Sequence, residues 1–274
     1  MLLGFYVKKA VVQMLENIIY IIVSFIATII GSLTGIGGGI VLKTLVDIFS
    51  DDPIVVVNFY ITIIVFTMCI VSMYKQLRKG FSFDINVLIG ISLGSLLGGY
   101  LGEYVLNLVI QEYDSRQIQL VQSIILFLTL LFLVVYTRLG PQRKKIEKPN
   151  LYLTFVLGLF LGSISIFLGI GGGPLNVSLL VILFGYGMKD AAVYSLATVF
   201  FSQIAKIVTI LYGGNFGQFD LSLIPFLIII AIAGGYLGTA LNQKLNSKKI
   251  ELFYIFFMIV LCFITLATIF KYWI

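Results

Sequence analysis

Eight mostly apolar runs of 17 residues or more divide this chain: Asn17–Leu33, Ile54–Tyr74, Ile85–Leu108, Ile118–Tyr136, Leu151–Leu168, Ala191–Tyr212, Leu221–Leu241 and Ile250–Phe270. Roughly 20 apolar residues in a helix cross the hydrocarbon of a bilayer. No water reaches backbone N–H and C=O groups there, so only helices or closed barrels can span it. The alternation of a barrel strand is absent, and the runs are read as helices. Composition agrees: 60% of the residues are hydrophobic, 11% are charged, and the mean hydropathy is +1.10. A soluble domain carries about a quarter charged residues, so this chain has too little polar surface to cover a water-soluble globule. The expected class is an all-α polytopic membrane protein, multi-pass in the cell membrane, with the lipid bilayer as a partner.

The formal charge of +6 points to orientation in the membrane rather than to nucleic acid, because the basic residues lie mostly between apolar runs. The chain has no His, which excludes imidazole metal sites and His-based triads, and no metal or cofactor is expected. Cys69 and Cys262 fall inside apolar runs and are read as packing residues. The run Ile18–Ile30 has signal-peptide length, but it continues into a glycine motif without a small-residue cleavage site and is read as a retained helix.

The chain repeats itself. "GIGGG" stands at Gly35–Gly39 and again at Gly169–Gly173, 134 residues on. "GGYLG" at Gly98–Gly102 returns at Gly234–Gly238, and "FDI" at Phe83–Ile85 returns as "FDL" at Phe219–Leu221, both 136 on. "DSRQIQL" from Asp114 answers "NSKKIEL" from Asn246, at 132. Four ordered matches at nearly constant spacing mark an internal duplication. Residues 1–137 form a first transmembrane repeat, 138–150 a basic cytoplasmic linker and 151–274 a second repeat. Each repeat has four long helices and one short helix after its GIGGG break (Ile40–Phe49 and Leu175–Phe184), for about ten membrane helices. If the short pieces cross, the repeats are inverted and the basic residues outside the spans divide twelve inside to four outside. If the short pieces dip in and return, the repeats are parallel and the division is eleven to five. The basic-residue rule and the frequency of inverted repeats in transporters both favour inversion.

A glycine run between two apolar pieces interrupts a helix at membrane depth. Irregular backbone is tolerated there only inside protein or along a cavity. The restarting helix presents unpaired N–H groups and a positive dipole end, which suits an anion. Two such breaks facing each other would make a midplane site from Gly37, Gly38, Gly39, Gly171, Gly172 and Gly173. "GGYLG", inside a long run, is read as close helix packing instead. Polar residues within spans are functional candidates by default. Lys43 follows the first break by one turn and either adds positive charge to the pocket or pairs with Asp47, four residues on. Asn176 follows the second break. Ser195, Thr198, Ser202 and Lys206 form one stripe, flanked by Gln203, that could line a path or bond its own helix backbone. Asn58 occupies the equivalent first-repeat helix with Thr62 and Thr67. Lys206 is expected to snorkel toward the interface, and Glu103, Asp47 and Asp190 to lie near interfaces.

"GSLTGIGGG" and "GSISIFLGIGGGPLNVSLLVILFGYGMKDAAVYSLATVF" resemble the TauE/SafE family of sulfite and sulfonate exporters over nearly the whole chain. Gly35–Gly39 and Gly169–Gly173 match its glycine motif, and Ala192, Val193, Ser195 and Leu196 match the segment opening the next long helix of the second half. In the first half, Asn58 or Phe59 stands where Ser is usual. The resemblance implies a carrier of sulfite, sulfonates or similar small anions, without ATP or a bound cofactor. The leading expectation is a secondary transporter of a small anionic solute working by alternating access, with a gated anion channel as the alternative. An enzyme is not expected, because paired carboxylates deep in a span are lacking. Oligomeric state is not legible in this sequence.

Overall fold

The computed structural model describes residues 2–49, 53–139, 150–169, 173–213 and 219–273, and side chains within 18–46, 53–137, 150–169, 173–212 and 219–273. Ten α-helices run through them: α1 (Leu2–Thr34), α2 (Gly39–Phe49), α3 (Ile54–Arg78), α4 (Ile85–Glu112), α5 (Ser115–Leu139), α6 (Leu151–Phe167), α7 (Gly173–Phe184), α8 (Met188–Gly213), α9 (Ile224–Lys244) and α10 (Ser247–Trp273). Six stretches among the described residues are long and apolar enough to cross a membrane. They are Ile54–Arg78, Ile85–Glu112, Ser115–Thr137, Met188–Tyr212, Leu221–Lys244 and Ser247–Trp273. Ile18–Thr34, Leu151–Phe167 and Gly173–Phe184 are shorter apolar helices. The protein is thus an all-α, multi-pass membrane protein.

Polar residues cap several of the helix starts. The Asp84 carboxylate accepts from the N–H groups of Asn86 and Val87 at 2.9 and 3.3 Å, opening α4. The Asn150 amide oxygen accepts from Tyr152 N at the start of α6. Asp220 caps a single 3-10 turn, Leu221–Leu223, that leads into α9. Each such bond satisfies a donor that helix geometry leaves open.

The repeated glycines form seams between the halves. A Cβ on Gly94, Gly98 or Gly102 of α4 would collide with the backbone of Phe155, Leu159 and Ser163 on α6. Gly158 and Gly162 of α6 meet Ile91 and Ser95 of α4 in return. The α9 glycines Gly234 and Gly238 lie in the same way against Thr28, Ile29 and Ser32 of α1. Small residues let the backbones close in, and packing then holds helices together in lipid. The "FD" motifs also reach across. Asp84 N–H donates to Tyr194 Oη at 2.6 Å, and Asp220 N–H to Tyr60 Oη at 3.0 Å. Phe83 meets the Tyr194 ring edge-on, while Phe219 stacks on Phe59 at 3.9 Å.

The short helices α2 and α7 lie inside this frame with α3 and α8, where Ile36, Ile40, Ile64, Met68, Val177, Leu180 and Leu196 form the core. Large apolar side chains such as Leu128, Phe132, Phe256 and Phe263 stand exposed on α5 and α10, as a lipid-facing surface requires. Two sets of ends are tied together. Gln243 of α9 donates to Lys75 O at the end of α3, and Lys189 Nζ, at the start of α8, donates to the carbonyls of Gln243 and Leu245. Arg116 Nε, at the start of α5, donates to Tyr272 O at the end of α10.

Candidate functional site

Both glycine motifs interrupt the helices. Gly35, Gly37 and Gly38 have φ of 77°, 83° and 66°, in the left-handed region that L side chains rarely adopt. They turn the chain from α1 into α2. The helical ladder of α2 opens with Leu42 N–H donating to Gly38 O, so the N–H groups of Ile40 and Val41 precede it. At the second motif α6 ends in a tight turn, Gly169 N–H donating to Ile166 O, and Gly169 has φ 67°. Gly171 and Gly172 lie outside the described residues. Gly173 starts α7.

The breaks touch each other. A Cβ on Gly173 would overlap the Ile36 carbonyl, and one on Gly35 would strike Ala192 of α8. Ser195 Oγ ties them, donating to Gly35 O at 2.7 Å with Gly173 O at 3.5 Å. Gly38 lies between Ala27 and Met68, so its part is close packing against α1 and α3.

Beside this junction sits a cluster of buried polar groups. A Cβ on Gly169 would come within 2.5 Å of Asn58 Oδ1 and 3.1 Å of Lys43 Nζ, so α2 and α3 bring both side chains to the second break. Lys43, 2% exposed, donates to Gln122 Oε1 at 2.5 Å. Gln122 Nε2 donates to Phe167 O, an end carbonyl of α6, at 2.6 Å. Asn58 Oδ1, both amide atoms of Asn176 and Gln203 Oε1 are buried without hydrogen-bond partners among the described residues. Such groups are rare, since each forfeits its hydration without a replacement bond.

The α8 stripe divides. Ser195 reaches the junction, whereas Thr198 Oγ1 donates to Tyr194 O and Ser202 Oγ to Val199 O, their own helix. Lys206 does not snorkel. It is 3% exposed, with Nζ 3.7 Å from Glu103 Oε2 on α4. Glu103 is likewise buried, at 7% exposed, rather than placed at an interface. The reason is the α4 seam: Gly99, one turn before Glu103, meets Ser202 and Ala205 closely enough to seat the carboxylate beside Lys206. The Asp47 side chain lies outside the described ones, and Asp190 is exposed. Cys69 is buried and Cys262 partly so, both as free thiols.

Gln122 was missed by sequence reasoning. Three glutamines in the "RQIQLVQS" stretch entering an apolar helix were the available signal. Its counterpart by the 132-residue spacing is Tyr254, also missed. Tyr254 Oη donates to Pro174 O at 2.7 Å and bonds Ser178 Oγ at 2.7 Å, at the start of α7.

Long apolar helices around paired helix interruptions define a multi-pass α-helical membrane protein with Lys43, Asn58 and Ser195 buried at the breaks. The chain belongs to the TauE/SafE family: the family model described as "Sulfite exporter TauE/SafE" matches residues 20–267. Among curated proteins it is similar to the probable membrane transporter protein YunE of Bacillus subtilis (strain 168), 28% identical over 85% of this chain and 91% of that one. It is also similar to the probable membrane transporter protein MJ0441 of Methanocaldococcus jannaschii, 24% identical over 85% of this chain and 88% of that one. No solved structure gives a significant match. The protein is thus a membrane transporter-family protein. Among the described residues no three of His, Cys, Asp and Glu gather as metal ligands.

Proposed function

We propose that this protein is a secondary transporter that holds a small oxyanion or organosulfonate at the junction of its two helix breaks. The observation that carries this reading is the buried Lys43 ammonium beside Asn58 and Gly169, with the Asn176 amide unpartnered among the described residues. A cation and an open amide donor, Asn176 Nδ2, inside a membrane protein stabilise a desolvated anion, and the start of α2 adds N–H groups. The Lys43–Gln122–Phe167 chain holds the ammonium in place while a solute is absent. Ser195 and the Ile36–Gly173 contact close the breaks on one another, so passage of a solute needs the two halves to part. That supports alternating access over a standing pore.

The two repeats are read as inverted about this junction. Lys75, Lys189 and Lys244 belong to ends that are tied together, and Arg116 is tied to Tyr272. Inversion puts the first group on one side and the second pair on the other. A parallel arrangement would separate the members of each group. The same reading takes residues 1–137 and 151–274 as the two transmembrane repeats, joined by the basic linker.

Counterflow in proteoliposomes, with sulfite, sulfate, sulfoacetate, taurine and small carboxylates, tests the proposal. Exchange of at least one oxyanion is expected, with loss in Gly173→Leu protein that still inserts. Absence of exchange across the panel, or undiminished exchange in the variant, would sink it.

A further inference from the structure

At the end of α3, away from the breaks, a pocket of about 320 Å³ is lined by Val71, Tyr74, Lys75, Arg78, Lys79, Tyr236 and Gln243. Three cations converge on it and none of its lining residues is acidic. The Lys206–Glu103 ion pair lies elsewhere, between α8 and α4. Cations at a helix C-terminus offset its dipole, but one helix end does not account for a concavity lined by three of them. Lys75 is fixed in place, its Nζ 3.2 Å from the centre of the Tyr236 ring and donating to Tyr236 O at 3.1 Å. Gln243 is tied to Lys75 O and Gln76 Oε1 beside it. Arg78 and Lys79 remain exposed on the rim.

The pocket meets the lipid-facing surface. Ile70, Tyr74 and Leu77 on α3, and Ile229, Ile232 and Tyr236 on α9, are exposed large apolar or aromatic residues on stripes that lead to it. Helical spacing puts each trio on one face. A ligand with an anionic head and apolar tails fits both halves of this surface, and basic pockets between membrane helices recognise such headgroups. Tyrosines at the junction match the preference of that ring for the headgroup level.

We propose that this pocket binds the phosphate of an anionic phospholipid, with Lys75, Arg78 and Lys79 around the headgroup and the acyl chains along the α3–α9 surface. The chemistry it shares with free phosphate is the phosphate oxygens; the apolar stripes favour the lipid.

The purified full chain in phosphatidylcholine nanodiscs, titrated with phosphatidylglycerol and read by native mass spectrometry, tests this. Retention of phosphatidylglycerol over phosphatidylcholine is expected, weakened at least roughly tenfold in Arg78→Gln/Lys79→Gln protein. Lys248→Gln/Lys249→Gln protein loses the same charge outside the pocket and should retain the lipid unchanged. Equal retention of the two lipids, or equal weakening in both double variants, would overturn the pocket. Displacement of phosphatidylglycerol by equimolar inorganic phosphate would overturn the lipid assignment. Both variant pairs alter exposed side chains, so folding is preserved and the readout does not depend on transport.

Discussion

Lys43 and Lys206 are both buried lysines in a membrane protein, yet their surroundings ask different things of them. Lys43 donates to the neutral amide oxygen of Gln122 and stands by the second break, within reach of an anion held there. Lys43→Gln is therefore expected to raise the apparent KM for the transported anion roughly tenfold, the scale of one charge-assisted hydrogen bond. Initial-rate transport over a range of anion concentrations checks it, and an unchanged KM would assign Lys43 to structure. Lys206 faces a carboxylate, Glu103, across α4 and α8. Removing one member leaves a lone buried charge, so Lys206→Met alone should destabilise the protein by about 3–5 kcal/mol. Glu103→Gln/Lys206→Met should recover most of that loss, because no charge is then stranded. Thermal unfolding in detergent reads the cycle; additive losses would show that the two groups do not act as a pair.

Among the elements, the seam between α4 and α6 is sensitive to added volume. Gly98→Leu would drive a side chain into the Leu159 backbone, and overpacking of that kind costs about 1–3 kcal/mol or more. Gly80, at φ 89° in the α3–α4 loop, has nothing within 4 Å of the place a methyl group would take, so Gly80→Ala should lose only about 1–2 kcal/mol to backbone strain. The folded fraction recovered by size-exclusion chromatography should fall sharply for the first and little for the second. Helix positions, the two breaks and the packing role of "GGYLG" were legible in the sequence, because apolar length and glycine spacing act locally. What those residues touch was not. Gln122 reaches Lys43 from another helix of the same half, and Tyr194 reaches Asp84 across the halves; hydropathy holds no record of either pairing. Snorkelling of Lys206 failed as an expectation for the same reason: the carboxylate that holds it sits on another helix, 103 positions earlier in the chain.

At the scale of the whole molecule, the orientation of the two halves decides whether the breaks can act as a pair. In an inverted arrangement the starts of α2 and α7 approach the junction from opposite sides, so either face of the membrane meets an equivalent helix end. The basic residues weigh twelve to four for that arrangement against eleven to five for the parallel one, which is a slender margin. The tied ends add a geometric argument: the end of α3, the start of α8 and the α9–α10 turn share one side, and Arg116 shares the other with Tyr272. A membrane-impermeant maleimide applied to intact cells should label Arg116→Cys and a cysteine placed after Ile274. Gly80→Cys and Lys248→Cys should be labelled only after permeabilisation. Labelling of Gly80→Cys and Lys248→Cys from opposite sides, or a C-terminus facing the cytoplasm, would put the halves in parallel and leave the junction without a symmetric mate on one face.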